Sequence, residues 1–425
     1  MKSVSASGVN GSIVAPASKS VAQRAIVAAL LARGTSVLRH LTPCDDTLAA
    51  MDVARALGAT VEETGEGYRV TSDFFARGAG TRRLSCGESG LLTRMIVPVV
   101  SLLPGTTRVE GRGSLTRRPL DMLVEPLRAL GVEVTTDGGF LPVTLAGLLA
   151  GGHATLDGGT SSQLLTGLLM ALPLARQDST LRVTDLKSKP YIDLTIDLLR
   201  AFGVVAGHED YQLFTVRGRQ EYLPRAYNVE GDWSGASCPL VAGAIAGSVT
   251  VSNLDERSPQ ADRAILEIAR RAGATVTVEA GRDGALGRAT ATRPGTLRAF
   301  EFDATGCPDL FPAAVALAAC CEGTSRIAGA GRLTHKESNR ALALQQEFGK
   351  LGIPILVDGD VMCVTGGEIR GGEVSAHDDH RVAMSLATAA LRSSGTVTIR
   401  GADSVGKSYP RFWDDLRQLQ EQSSI

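Results

Sequence analysis

Residues 21–41 read VAQRAIVAALLARGTSVLRHL. Apolar side chains cover every face of the first half, so this is a helix meant to be buried on all sides. Gly34 ends it, and TSVLRHL follows as a short strand. The same phrase of apolar helix, stop and strand returns along the whole chain. Its strands begin at Gly34, Gly105, Asp178, Gly247, Gly323 and Gly395, at intervals of 69 to 76 residues. After each strand come a polar stretch and a second helix of 3.6 period. The first five of these helices close on a glycine and resume as strand: LGATV from Leu57, LGVEV from Leu130, FGVVA from Phe202, AGATV from Ala272 and LGIPI from Leu351. The sixth ends in RFWDDLRQLQEQ.

Six copies of one unit in 425 residues are too many for a single core, which predicts two similar domains of about 200 residues. A solenoid competes, but periods near 70 exceed the usual range of roughly 20–50. The fold class is α/β (α+β), with buried helices inside and strands packed outside them, and the chain divides near Glu230-Gly231-Asp232.

Bulk composition narrows the partners. The chain is 44% hydrophobic and 21% charged with a formal net charge of -1, which argues against nucleic-acid or membrane-surface binding. Apolar runs such as Ala25 to Ala32 fall short of the ~20 residues that a membrane span needs. The opening MKSVSASGVNGSIVAP has neither an apolar signal core nor an Arg/Ser-rich transit pattern, so a cytoplasmic protein is expected. Cysteines at 44, 86, 238, 307, 320, 321 and 363 form no CxxC pair, so reduced, mostly buried thiols are expected and no metal site.

The polar residues gather at the starts of the apolar helices: SKSVAQR (18–24), GESGLLTR (87–94), TSSQLLTG (160–167), GDWSGAS (231–237), CPDLFPA (307–313) and HDDHRVAM (377–384). A helix start carries a partial positive charge and unpaired N–H groups that suit phosphate or carboxylate. Ser18, Ser161 and Ser162 also fit plain N-caps. Arg24, Arg94 and Arg381 lie one turn or less inside apolar helices, where a guanidinium is costly unless it meets an anion. GDWSGAS has no cation and reads as structural. A small, strongly anionic substrate is therefore the expected ligand.

Together the motifs PASKSVAQR (16–24), RRP (117–119), SSQ (161–163), SKPYIDLT (188–195), PD (308–309), KESNR (336–340), DHR (379–381) and GKSYP (406–410) resemble the 5-enolpyruvylshikimate-3-phosphate synthase (3-phosphoshikimate 1-carboxyvinyltransferase) family over nearly the whole chain. The resemblance implies two domains of three βαβαββ units each (an inside-out α/β barrel), joined by a double crossover. One would be 16–230, binding shikimate 3-phosphate; the other, 1–15 with 231–425, would carry the acid and base and most of the phosphoenolpyruvate site. The implied reaction moves the enolpyruvyl group of phosphoenolpyruvate to the 5-hydroxyl of shikimate 3-phosphate, with release of phosphate. Neither a cofactor nor a metal is implied, and the chain is expected to act as a monomer.

Carried over residue by residue, the resemblance assigns shikimate 3-phosphate to Lys19, Ser20, Arg24, Ser161, Ser162, Gln163, Ser188, Tyr191, Asp309 and Lys336. It assigns phosphoenolpyruvate to Lys19, Gly90, Arg94, Arg118, Gln163, Arg340, Arg381 and Lys407. Asp309 is the implied base and Glu337 the implied acid, with Lys19 and His380 as further catalytic candidates. His380 also fits a structural place in the DHR turn, and Tyr191 a packing role.

Three places depart from the family pattern. Ala17 stands where glycine is usual, Arg332 where asparagine is common, and GESGLL (87–92) where the common string is GNAGTA. Glu88, Ser89 and Leu91 lead to the expectation of weaker competition by glyphosate, a competitor for phosphoenolpyruvate in this family. The nearest alternative is transfer to UDP-N-acetylglucosamine, but that sister family carries a Lys-Asn pair near its N-terminus and a reactive loop cysteine. Here Ser20 follows Lys19, and the region around Arg117-Arg118-Pro119 has no cysteine. A non-catalytic sugar-phosphate-binding protein would not need Asp309 and Glu337 beside five cations.

Overall fold

The computed structural model describes residues 1–76, 78–159, 161–281, 286–334 and 336–423. Two compact units result, Lys19–Val229 and Met1–Ser18 with Glu230–Ile425. The sequence-based borders of 15/16 and 230/231 shift slightly. Residues 16–18 stay with the C-terminal unit because Ala17 bridges Gly231, Ser18 N donates to Glu230 O (2.8 Å) and Asp232 N donates to Pro16 O (2.8 Å).

Within Lys19–Val229 three helices are buried: Lys19–Leu31, Gly90–Val100 and Gln163–Ala171. The other unit buries Trp233–Ala246, Phe311–Ala319 and His380–Ala390. Their composition explains this: an all-apolar helix has no face to offer water, so it becomes core. Around these helices the strands form small sheets of one repeated pattern. In one example, Gly105–Glu110 pairs in parallel with Gly80–Ser85 on one side and antiparallel with Phe140–Gly147 on the other, and Val132–Asp137 lies beyond. The outer helices close as expected. Gly58, Gly131, Gly203, Gly273 and Gly352 all have φ between 82° and 97°, a left-handed C-terminal turn that only glycine adopts without strain.

Chain ends complete two of the sheets. Val9–Val14 runs parallel to Gly247–Leu254, and Lys2–Val4 pairs antiparallel with Val397–Arg400. The second pairing substitutes for the hairpin that the sixth repeat lacks, since its chain continues instead into the helix Phe412–Glu421. In the other unit Ala226–Asn228 returns to pair in parallel with Gly34–Arg39. All seven cysteines are free thiols, five of them buried. No helix among the described residues is long and apolar enough to cross a membrane, and no described cluster could hold a metal ion.

Candidate active site

In Lys19–Val229 the candidate residues stand at the starts of the buried helices. Lys19 opens the first of them, and its Nζ lies 3.2 Å from Oδ2 of the buried Asp46. Arg24 is wholly buried one turn further on. Its Nε donates to Thr195 Oγ1 (2.9 Å), its Nη1 to Ser20 O (2.9 Å), and its Nη2 to Thr166 Oγ1 and Tyr191 O (both 3.4 Å). These acceptors are all neutral oxygens. Burial accordingly pulls the Arg24 pKa down to about 10. A buried guanidinium held by neutral acceptors favours the approach of an anion.

A second cation group forms around Gly90, at the start of Gly90–Val100. Arg94 Nη1 donates to Gln163 Oε1 (3.0 Å) and Arg94 Nη2 to Pro119 O (3.1 Å). A Cβ placed on Gly90 would lie 2.9 Å from Arg118 Nη1 and 3.0 Å from Arg94 Nη1. Glycine is thus what lets two buried guanidiniums close over the helix start. Ser89 caps the same helix by accepting from Leu92 N (3.3 Å) and donates to Gln23 Oε1 (2.8 Å). Ser162 is the N-cap of Gln163–Ala171 but makes no side-chain cap; Ser161 Oγ instead accepts from Gln163 N (3.2 Å). Ser188 is buried on a separate loop with φ of 53°, next to the half-buried Tyr191.

In the other unit the charges interlock around Arg340. This guanidinium is wholly buried, and three carboxylates share it: Asp379 (Nε to Oδ2 2.7 Å, Nη2 to Oδ1 3.3 Å), Asp309 (Nη1 to Oδ1 2.7 Å) and Glu337 (Nη2 to Oε2 2.5 Å). Asp309 also meets Lys336 Nζ at 3.2 Å and Arg381 Nη2 at 3.5 Å. Burial alone would raise the Asp309 pKa, but Lys336, Arg381 and Arg340 outweigh it and hold the carboxyl well below the usual carboxylate range. Burial draws Lys336 below the ordinary lysine value, with Asp309 opposing. Lys407 is buried at the end of the turn Ala402–Lys407. His380 is wholly enclosed, its Nδ1 3.9 Å from Asp379 Oδ1.

Residues 5–416 match the model of the EPSP synthase (3-phosphoshikimate 1-carboxyvinyltransferase) family. The chain belongs to the EPSP synthase family. It is 35% identical over 418 residues to a 3-phosphoshikimate 1-carboxyvinyltransferase of Clostridium perfringens, covering 98% of this chain and 97% of that one. With the enzyme of that name from Methanocorpusculum labreanum it shares 37% over 420 residues, again 98% and 97%. The solved EPSP synthase of Acinetobacter baumannii superposes with a TM-score of 0.84 at 27% identity, covering 98% of each chain.

The EPSP synthase motifs thus fall into local groups: Lys19, Ser20 and Arg24; Gly90, Arg94, Arg118 and Gln163; Asp309, Lys336, Glu337, Arg340 and Arg381. Several supporting residues escaped the sequence reading. Asp379 lies inside the DHR motif, and its place one residue before an apolar helix marks it as an N-cap; it accepts from Arg381 N at 3.0 Å. Asp46, at the start of Asp45–Ala56, has no such signal. In GDWSGAS, Asp232 caps its helix by accepting from Ser234 N (2.9 Å). Of the departures from the EPSP synthase pattern, Arg332 Nη1 donates to Thr305 O (2.9 Å), and the Glu88 carboxylate lies against Gly113.

Proposed function

We propose that this chain transfers the enolpyruvyl group of phosphoenolpyruvate to the 5-hydroxyl of shikimate 3-phosphate. The observation that carries this reading is the pair of carboxylates, Asp309 and Glu337, held on one buried guanidinium and surrounded by Lys336 and Arg381. A binding protein has no use for an acid–base pair inside a cation cluster.

The chemistry follows from the charges. Asp309 stays ionised among its cations and is suited to accept the proton of the attacking hydroxyl. Glu337 is the candidate donor to the methylene carbon of the enol. An anion that draws on the donors of Arg340 loosens the pairing that now engages Glu337. Addition gives a tetrahedral ketal phosphate; loss of phosphate and of a methyl proton then restores the enol ether. By the resemblance, phosphoenolpyruvate would be held by Lys19, Gly90, Arg94, Arg118, Gln163, Arg340, Arg381 and Lys407, the six cations among them bearing its charge. Preorganised cations of this kind stabilise charge as it develops. Arg24, Ser20, Ser161, Ser162, Ser188 and Tyr191 would frame shikimate 3-phosphate, with Asp309 and Lys336. His380, enclosed as it is, would act through Asp379.

A net charge of -1 accords with small anionic substrates in place of nucleic acid, and we read the protein as a cytoplasmic monomer without a cofactor. The test is phosphate release measured with each substrate alone and with both. Release that requires phosphoenolpyruvate and shikimate 3-phosphate together is expected. Productive transfer to UDP-N-acetylglucosamine in place of shikimate 3-phosphate would overturn the reading.

A further inference from the structure

The helix Arg340–Lys350 holds the chain around the DHR motif at two points. At its start Arg340 pairs with Asp379 (Nε to Oδ2 2.7 Å). Two turns further along the same face stands Glu347, a buried carboxylate that the transfer scheme does not use. Its Oε2 accepts from Ser375 N (2.8 Å), and its Oε1 accepts from His377 Nε2 (2.7 Å). Lys350 Nζ meets the same two oxygens at 2.7 and 2.8 Å. Because its partner is a carboxylate, the His377 ring carries a proton on Nε2.

The chain between the two grips is strained. His377 and Asp378 have φ of 52° and 55°, two successive non-glycine residues in the left-handed region. Such a backbone persists only where its surroundings impose it. The strand Gly372–Ser375 fixes one side, with Ala376 N donating to Arg400 O (2.8 Å). Within the turn, His377 N donates to Ser375 Oγ (3.1 Å) and Asp379 N to Ala376 O (2.9 Å). The turn sends Asp379 to Arg340 and opens the helix His380–Ala390, whose Arg381 Nη2 lies 3.5 Å from Asp309 Oδ2.

We propose that Glu347 is a positioning residue for phosphoenolpyruvate: through Ser375 N and His377 it holds residues 375–378 in the conformation that delivers Asp379 to Arg340 and Arg381 to Asp309. The inference rests on the transferase reading, which assigns Arg340 and Arg381 to that substrate. Glu347 acts on the substrate only through these residues. With its grip released, His377 and Asp378 relax toward ordinary backbone angles, and Asp379 and Arg381 leave the positions that receive the anion.

The experiment measures steady-state kinetics for both substrates in two variants. Glu347→Gln keeps the shape but leaves one acceptor oxygen where two are needed. His377→Asn tolerates the left-handed backbone while its shorter amide loses Glu347. KM for phosphoenolpyruvate should rise about tenfold in the first and about threefold in the second, with kcat and KM for shikimate 3-phosphate held within about twofold. The double variant should be no worse than Glu347→Gln, since both changes break one contact. A fall in kcat with both KM values unchanged marks mere loss of folded enzyme and would overturn the proposal, as would unchanged kinetics or additive effects. Wild-type protein that releases no phosphate would instead defeat the transferase reading itself. Hydrogen exchange needs no turnover and judges the grip alone: amides of 375–381 should exchange about tenfold faster in Glu347→Gln, and exchange equal to the wild type would overturn the proposal.

Discussion

Asp379 grips Arg340 from the helix His380–Ala390, with Nε 2.7 Å from Oδ2 and Nη2 3.3 Å from Oδ1, and neither side chain is exposed. The contact fixes the plane of the guanidinium, so its remaining N–H groups reach Asp309 and Glu337. Asp379→Ala would leave a buried cation short of its main counter-ion, a loss of about 3 kcal/mol or more. Steady-state kinetics should register at least about a hundredfold fall in kcat/KM for phosphoenolpyruvate. Asp379→Asn, which keeps the cap to Arg381 N, should fold better than the alanine variant yet remain impaired.

The pH behaviour of Asp309 has a definite sign. Its folded pKa is depressed, so the stability from its ion pairs is fully present above the unfolded value near 4. That contribution is lost only as pH falls through the lower folded value. Base function should therefore persist at least down to the ordinary carboxylate value of about 4, and any acidic limb above that belongs to another group. Asp309→Asn should lower kcat about a thousandfold at every pH from 5 to 9. A variant that recovers at high pH would contradict the base assignment.

Gly90 tests the second cation group. In Gly90→Ala the new methyl meets the far ends of two flexible side chains, Arg118 and Arg94, at 2.9 and 3.0 Å. The fold should survive, with stability changed by about 1 kcal/mol or less, because guanidinium groups move more easily than backbone. Their displacement should raise KM for phosphoenolpyruvate about tenfold while kcat changes less. Thermal melting beside the kinetics separates the two effects.

Glu88 bears on glyphosate. Its carboxylate lies against Gly113, at the start of the segment Gly113–Arg117 that leads into Arg118. The Ser89 hydroxyl is engaged by Gln23 and the helix cap. An added negative charge near the cations should disfavour a competing anion, so Glu88→Asn should tighten glyphosate inhibition against phosphoenolpyruvate by about fivefold. An inhibition constant in the wild type equal to that of relatives carrying GNAGTA would defeat the idea.

Much of the molecule was legible in its order of residues. Helices such as Phe311–Ala319 announce their burial because no face could meet water, and the glycines at 58, 131, 203, 273 and 352 mark where outer helices end. The motif residues, from Lys19 to Lys407, could be named because each lies within a short local string. What the order could not state is which distant groups meet. Lys2–Val4 completing the sheet of Val397–Arg400, Asp46 facing Lys19 and Asp379 behind Arg340 all depend on contacts distant in the chain. Periodicity and capping are local properties of a chain; pairing, burial of charge and the pKa values that follow are properties of what packs against it. The sequence by itself therefore determined the repeat, the buried helices and the chemical cast, while only the tertiary structure decided which carboxylates hold Arg340 and which acidic residue faces Lys19.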